Sequence, residues 1–227
     1  MNSKAAAATT PVEERATTRD DLLTAVSDLM CERDTLLVPI IDIAAKAGVN
    51  SALVKYYFGN KSGLMRALLH RDLAEAVTQL EALVEMDMRP TAKMRYHLSG
   101  LVNMYFRYPY LQRLLTATMR DETEEVRRTM IKSYIEPIHD AYKRMISEGV
   151  AAGEFQSVDY KFFYFIVIGA CDQKFSSYRN QLASYRYPNE PIIQEYDGTL
   201  FRVLKNVRRN RYMFEQSTKT HNEFLLT

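Results

Sequence analysis

Apolar residues recur at helical spacing along almost the whole chain. From residue 18 onward they fall three and four positions apart, as in the stripe of Leu22, Val26 and Leu29. No stretch alternates strictly between apolar and polar residues, so no β-strand is predicted. Only 8 glycines and 7 prolines occur, and most of them fall between the periodic runs or at their ends. The pattern therefore predicts an all-α protein.

Capping residues and helix breakers divide this pattern into separate helices. Thr18 and Asn60 suit helix N-caps, and Pro39 suits a first helical turn. A bend is expected near Pro137, which lies inside the longest predicted helix. The predicted helices span residues 19–33, 39–48, 50–58, 60–86, 91–107, 110–119, 122–152, 159–185 and 192–210.

The segment from Met86 to Pro90 is the predicted domain boundary. It separates a first domain, residues 18–86, from a second domain, residues 87–211. Residues 1–17 contain almost no large apolar side chain and are expected to form a flexible arm. Residues 212–227 are expected to form a polar tail.

Composition narrows the class of protein. The net charge is only +2, so binding to nucleic acid would require a local basic patch. Cys31 and Cys171 lie far apart and are expected to be buried thiols rather than a disulfide. The longest apolar run, from Phe162 to Cys171, is too short to span a bilayer. We therefore expect a cytoplasmic protein with no membrane segment, no metal site and no cofactor.

A local pattern around Gly48 indicates a helix-turn-helix. Glycine accepts the positive φ that a tight turn requires, and the small Ala44 and Ala47 let two helices approach closely. The side chains expected to pack as a small core are Ile40, Ile43, Val49, Val54 and Tyr57. The side chains expected to face away from that core are Asn50, Ser51, Ala52, Lys55 and Tyr56. These residue types suit a DNA major groove, where Lys binds guanine, Asn binds adenine and Ala contacts the thymine methyl.

The distribution of charged residues supports DNA binding by this helix-turn-helix. No Asp or Glu occurs between Ile43 and Arg71, and an acid-free surface is what a polyanion requires. The basic residues of this stretch are Lys46, Lys55, Lys61, Arg66 and Arg71. The alternative is a solvated basic face on an ordinary pair of helices.

Residues 18–70 resemble the N-terminal domain of the TetR family of bacterial transcriptional regulators. The resemblance rests on the sequences IIDIAAKAG at 40–48, VNSALVKYYFGNK at 49–61 and SGL at 62–64. It implies an N-terminal helix-turn-helix DNA-binding domain and a C-terminal helical domain for effector binding and dimerisation. It also implies groove or phosphate contacts by Asn50, Ser51, Ala52, Lys55 and Tyr56, and a phosphate contact by Lys61. The implied function is that of a homodimeric, ligand-responsive repressor that binds a palindromic operator in double-stranded DNA.

Three positions depart from the family pattern. Pro39 stands where the family often has Thr or Ser, Leu53 where it often has Thr, and Lys55 where it often has Tyr. Pro39 removes a hydroxyl that would touch phosphate. Lys55 can bind either a phosphate or a guanine, and the sequence does not decide between them.

The second domain is rich in aromatic residues, which predict either a solid core or an apolar cavity for an effector. His97, His139 and Gln173 are candidate polar anchors for a small, mostly apolar acyl or aromatic molecule. The candidate lining residues are Tyr105, Phe106, Met119, Tyr134, Tyr142, Phe163 and Ile166. A homodimer is expected through the apolar run Phe162–Cys171 and the stripe Leu200, Val203, Leu204 and Val207.

Two competing functions use the same sequence features. An effector-free architectural or division-control DNA-binding protein would have the same fold with a fully packed second domain. An enzyme on an all-α scaffold would need a nucleophile and a base at suitable spacing, and none is found. We therefore expect a non-enzymatic protein.

Overall fold

The computed structural model describes the backbone of residues 11–181 and the side chains of residues 16–172. Within these residues all regular structure is helical, which confirms the predicted all-α class. None of the described helices is both long enough and apolar enough to traverse a lipid bilayer. The helices are α1 (Pro11–Arg33), α2 (Ile40–Lys46), α3 (Ala52–Phe58), α4 (Lys61–Glu85), α5 (Pro90–Arg107), α6 (Leu111–Asp121), α7 (Glu124–Met130), α8 (Glu136–Ala151) and α9 (Tyr160–Gln181).

Some predictions concern residues beyond this range. The predicted last helix at 192–210, with its apolar stripe, lies outside the described residues, as does the tail at 212–227. The side chain of Gln173 also lies outside them.

Helix α1 begins earlier than predicted. It starts at Pro11 rather than Arg19, so it includes residues 11–17 of the predicted arm. Pro11 suits a first helical turn, because its fixed φ matches the helix and it lacks an N–H group that would have no partner there. A lack of large apolar residues indicates low burial, but it does not prevent helix formation.

The chain forms two compact units, and they do not follow the predicted boundary at residue 86. Of the described residues, the first unit contains 11–75 and 108–127, and the second contains 76–107 and 128–181. Helix α4 is continuous through residue 75, so its two halves belong to different units. Helix α6, predicted as part of the second domain, belongs to the first.

The first unit has a core contributed by α1, α2, α3, α4 and α6. The stripe predicted on α1 is buried, with Leu22, Leu23 and Val26 fully enclosed. Each such side chain contributes about 1.5–3 kcal/mol to folding when it leaves water. Other large apolar residues buried here are Leu29, Met30, Val38, Ile43, Val54, Leu64, Met65, Leu68, Leu69, Leu73, Leu111 and Leu114.

The second unit is built around the packing of α5 against α8 and α9. Its core includes Met94, Leu98, Val102, Tyr105, Tyr142, Met145, Phe163, Val167 and the thiol of Cys171. Gly149 has a packing role, because the ring of Phe155 occupies the space that a Cβ atom would need. This contact explains why the chain has glycine at that point of α8.

A π-helical segment, Ile131–Ile135, joins α7 to α8. It lies just before Pro137, which has no N–H to donate and whose ring would clash with the carbonyl group four residues earlier. Wider helical turns of this kind accommodate such a break without ending the helix. The predicted continuous run from 122 to 152 is therefore helical throughout except at its first two residues and at Ala152.

Candidate DNA interface and effector site

The turn between α2 and α3 has the geometry that the sequence predicts. Gly48 has a φ of 69°, in the left-handed region that favours glycine. The N–H of Val49 donates to the carbonyl of Ala44 at 2.9 Å, which closes the end of α2. Ile43 and Val54 are buried on either side of the turn. The orientation of α3 is thus fixed by a small core beneath it.

Asn50 acts as a cap for α3. Its side-chain oxygen accepts a hydrogen bond from the N–H of Ala52 at 2.8 Å, so the helix begins at Ala52 rather than at Asn50. Small polar residues commonly satisfy the free N–H groups at a helix start in this way. An adenine contact through this oxygen would require the capping bond to break.

The outward face of α3 is as predicted. Ser51, Ala52, Lys55 and Tyr56 are exposed, whereas Val54 is buried. The ring of Tyr56 is 64% exposed and contacts the Tyr57 ring edge-on, with centroids 4.9 Å apart. The helix therefore presents a cation, a hydroxyl group and a phenol on one face above a rigid support.

The start of α4 is held closely against the end of α3. The side-chain oxygen of Asn60 accepts a hydrogen bond from the N–H of Gly63 at 2.8 Å. The carbonyl oxygen of Phe58 fills the space that a Cβ atom on Gly63 would occupy. Arg19 of α1 places its guanidinium 5.4 Å from the centroid of the Phe58 ring, a cation–π contact that sequence reasoning missed. Lys61 is half-buried in the first turn of this helix.

Ion pairs neutralise three of the five cations in the predicted basic stretch. Lys46 donates to Glu32 at 2.7 Å, and this hydrogen bond raises the pKa of Lys46. Arg66 pairs with Glu122, and Arg71 pairs with Asp72 at 2.8 Å. In the described part of the chain, Lys55 and Lys61 have no ion-pair partner. These two lysines are the cations left to bind an external anion.

In the second unit, a row of rings in edge-to-face contact connects two of the predicted polar anchors. The Nε2 atom of His97 lies 2.8 Å from the hydroxyl of Tyr142, and the two rings meet edge-on. The ring of Tyr142 contacts Tyr164 at 5.4 Å, and that of Tyr164 contacts His139 at 5.0 Å. Tyr164 was not among the predicted residues, although it lies in the same aromatic run.

The two histidines differ in their hydrogen bonding. The surrounding protein desolvates His97, which lowers its pKa to about 4. It is therefore neutral near pH 7 and paired with Tyr142. The Nε2 atom of His139 is buried and has no hydrogen-bond partner among the described residues. An unsatisfied buried nitrogen is costly, and a ligand that supplies its partner would relieve that cost.

The other predicted effector residues divide into three groups. Tyr105 and Phe163 belong to the core of the second unit, and Phe106 packs against that core. Tyr134 is buried in the π-helical segment, and Ile166 is half-buried on α9. Met119 lies on α6, which belongs to the first unit.

Tight packing supports the alternative that the second unit has a solid aromatic core rather than an effector cavity. Tyr105, Tyr142 and Phe163 are at most 3% exposed, as expected of residues that fill a core. A groove of about 310 Å³ in the second unit is lined by the end of α4, the π-helical segment and α8. None of the predicted effector residues lines it.

Residues 87–198 match the family described as tetracyclin repressor-like, C-terminal domain. The matched residues lie after the helix-turn-helix formed by α2 and α3. The chain belongs to the TetR family. Among curated protein sequences, none matches this TetR-family chain significantly.

Solved structures show the same fold over most of the chain. FadR from Bacillus subtilis, in complex with stearoyl-CoA, has 15% identity and a TM-score of 0.62, covering 82% of this chain and 97% of FadR. PfmR from Thermus thermophilus has 16% identity and a TM-score of 0.65, and the match covers 80% of this chain and 97% of PfmR. A TetR/AcrR-family regulator from Thermobifida fusca has 20% identity and a TM-score of 0.60, and the match covers 81% of this chain and 96% of that regulator. At these identities the likeness establishes the fold and confirms the predicted TetR architecture.

Proposed function

We propose that this TetR-family regulator acts in the cytoplasm as a homodimeric repressor that binds a palindromic operator and responds to a small, mostly apolar effector. The observation that carries the DNA-binding part is the exposed face of α3. Lys55 projects from that face without an ion-pair partner among the described residues, and the helix below it is fixed by the turn at Gly48. This combination gives a rigid, positively charged reading surface.

Each exposed residue has a distinct role in this proposal. Lys55 binds a guanine edge or a phosphate, and Tyr56 and Ser51 offer hydroxyl groups to the groove or the backbone. Ala52 is small enough to approach a thymine methyl group. Lys61, at the start of α4, binds a phosphate, and the positive end of that helix adds to the attraction.

The homodimer is proposed to form through α9. Phe162 and Phe165 lie one helical turn apart on this helix and are 60% and 65% exposed. Two large exposed aromatic side chains on one helix are a feature of surfaces that pair with another chain. A two-fold axis would then place two copies of α3 in successive major grooves of the operator.

The effector is proposed to bind at the ring cluster of His97, Tyr142, Tyr164 and His139. The unsatisfied Nε2 atom of His139 offers one hydrogen bond to a ligand that is otherwise apolar. FadR from Bacillus subtilis, which shares the fold, is bound to stearoyl-CoA, and this supports an acyl compound as the effector class. Ligand binding would change DNA affinity only as far as it favours one arrangement of the dimer over another.

A second candidate is an effector-free DNA-binding protein with the same fold. The observation in its favour is the near-complete burial of Tyr105, Tyr142 and Phe163. This alternative keeps all the DNA-binding roles and removes the effector.

The experiment is selection of binding sites from a library of randomised DNA duplexes, followed by addition of acyl-CoA compounds to the selected complex. We expect enrichment of an inverted repeat with half-sites about 10 base pairs apart. Release of that duplex by an acyl compound, with a rise in melting temperature, supports the repressor proposal. An enriched site with no response to any compound favours the effector-free protein. The absence of an enriched site would exclude both.

A further inference from the structure

A groove of about 390 Å³ lies within the first unit. Its walls are the loop between α1 and α2, the first turns of α4, and α6. This volume falls within the range of roughly 300–1,000 Å³ that small-molecule sites occupy. The residues that line the groove belong to the first unit, whereas those of the ring cluster belong to the second.

Part of the groove lining is apolar. Leu37, Met65, Leu114 and Ala117 contribute to it. Leu37 is 83% exposed, whereas Met65 and Leu114 are buried. An apolar chain placed over Leu37 would remove from water one of the most exposed large side chains of the described residues, and this supplies a driving force for binding.

The charged residues of the lining are mostly neutralised by ion pairs. Arg120 pairs with Asp121 at 2.9 Å, and Glu122 pairs with Arg66. Lys61 is the remaining cation of the lining, and it has no partner among the residues that the structure describes. Lys61 and these two ion pairs together carry a net charge of +1, which suits a ligand with a single negative charge. Ser62 adds a hydroxyl group beside Lys61.

We propose that this groove is a second ligand site, which binds a small amphipathic monocarboxylate. The carboxylate pairs with Lys61 and the hydrocarbon part lies over Leu37 and Ala117. If Lys61 also binds an operator phosphate, as proposed above, the carboxylate and the DNA compete for one cation. That consequence rests on the proposed function, whereas the binding site itself does not.

The test is methyl-detected NMR of the full-length protein titrated with octanoate, with no DNA present. The reporters are the methyl groups of Met65 and Ala117 in the groove, and that of Met145 in the core of the second unit. The variants are Lys61→Gln and the matched control Lys55→Gln, which removes the same charge from the same unit outside the groove. Octan-1-ol serves as the uncharged ligand.

We expect octanoate to shift the Met65 and Ala117 signals in a saturable manner in the wild type and in Lys55→Gln. Lys61→Gln should weaken that binding about tenfold, the effect of losing one charge-assisted contact of about 1.4 kcal/mol. Equal binding by octanol, equal binding by Lys61→Gln, or no shift at Met65 and Ala117 would overturn the proposal. A shift at Met145 alone would also overturn it, while leaving the proposed effector site intact.

Discussion

The hydroxyl of Tyr110, just before α6, donates a hydrogen bond to the carboxylate of Asp72 in α4, with 2.7 Å between the oxygens. The hydroxyl of Ser27 in α1 lies 2.7 Å from the same phenolic oxygen. All three residues are buried, and Arg71 completes the pairing of Asp72 at 2.8 Å. A buried carboxylate is tolerated only when it is paired and hydrogen-bonded. This network makes α6 part of the unit that carries α3.

Replacing Tyr110 with Phe should destabilise the first unit. The change leaves the ring in place but removes a hydrogen bond from a buried carboxylate, so the free energy of unfolding should fall by about 1–3 kcal/mol. Urea denaturation would measure this loss. The control is Tyr96→Phe, at a site 68% exposed, which should change stability by less than about 0.5 kcal/mol. Equal stability of both variants would contradict the role of the network.

Replacing Gly63 with Ala should disturb the junction of α3 and α4. The added methyl group meets the backbone carbonyl of Phe58, which cannot move without shifting the end of α3. We expect a lower melting temperature and weaker DNA binding. Gly100→Ala in α5 is the matched control, because a Cβ atom there meets open space. That control should be neutral or stabilising by up to about 1 kcal/mol, since alanine favours helices. A Gly63→Ala protein as stable as Gly100→Ala would refute the contact.

The low pKa of His97 should make stability depend on pH. The unfolded chain takes up a proton near the ordinary value of 6.5, whereas the folded protein does so only at about 4. Stability should therefore fall as the pH drops from 6.5 towards 4, by at most about 1.4 kcal/mol per pH unit. His97→Gln should lose this part of the slope, and the exposed control His70→Gln should retain it. Urea midpoints between pH 7 and pH 5 would measure the difference; parallel slopes in all three proteins would exclude His97 as the cause.

Dimerisation through α9 gives a separate prediction. The double variant Phe162→Ser, Phe165→Ser should sediment as a monomer at micromolar concentration, where the wild type should sediment as a dimer. Both side chains are mostly exposed within one chain, so the fold of the subunit should be retained, which circular dichroism would verify. A wild type that is monomeric at that concentration would disprove the proposed interface, as would a double variant that remains dimeric.

Local sequence signals predicted the helix-turn-helix well. The turn at Gly48 and the outward face around Lys55 depend on residues a few positions apart, so periodicity and backbone preference suffice to place them. The role of Asn50 as a cap has the same local origin, because a small polar residue just before a helix commonly serves in that way. It was missed because the same residue type also suits adenine.

Features that depend on distant residues were not predictable in this way. Glu122 neutralises Arg66 from a position 56 residues further along the chain, so an acid-free stretch of sequence is not an acid-free surface. The assignment of α6 to the first unit likewise depends on Tyr110 and Asp72, which are 38 positions apart. In the second unit the sequence places Tyr142 in either a packed core or a cavity lining, because the same aromatic composition fits both.

DNA binding by α3 is the central claim, and the affinity of Lys55→Ala for the selected duplex tests it most directly. Affinity should be measured at several salt concentrations for the wild type, Lys55→Ala and the control Lys143→Ala, which removes an exposed lysine from α8. We expect Lys55→Ala to lose about 1–3 kcal/mol of binding free energy if it reads a base, or to reduce the salt dependence by about one phosphate contact if it binds the backbone. The control should bind like the wild type. A Lys55→Ala protein with wild-type affinity and wild-type salt dependence would contradict the account.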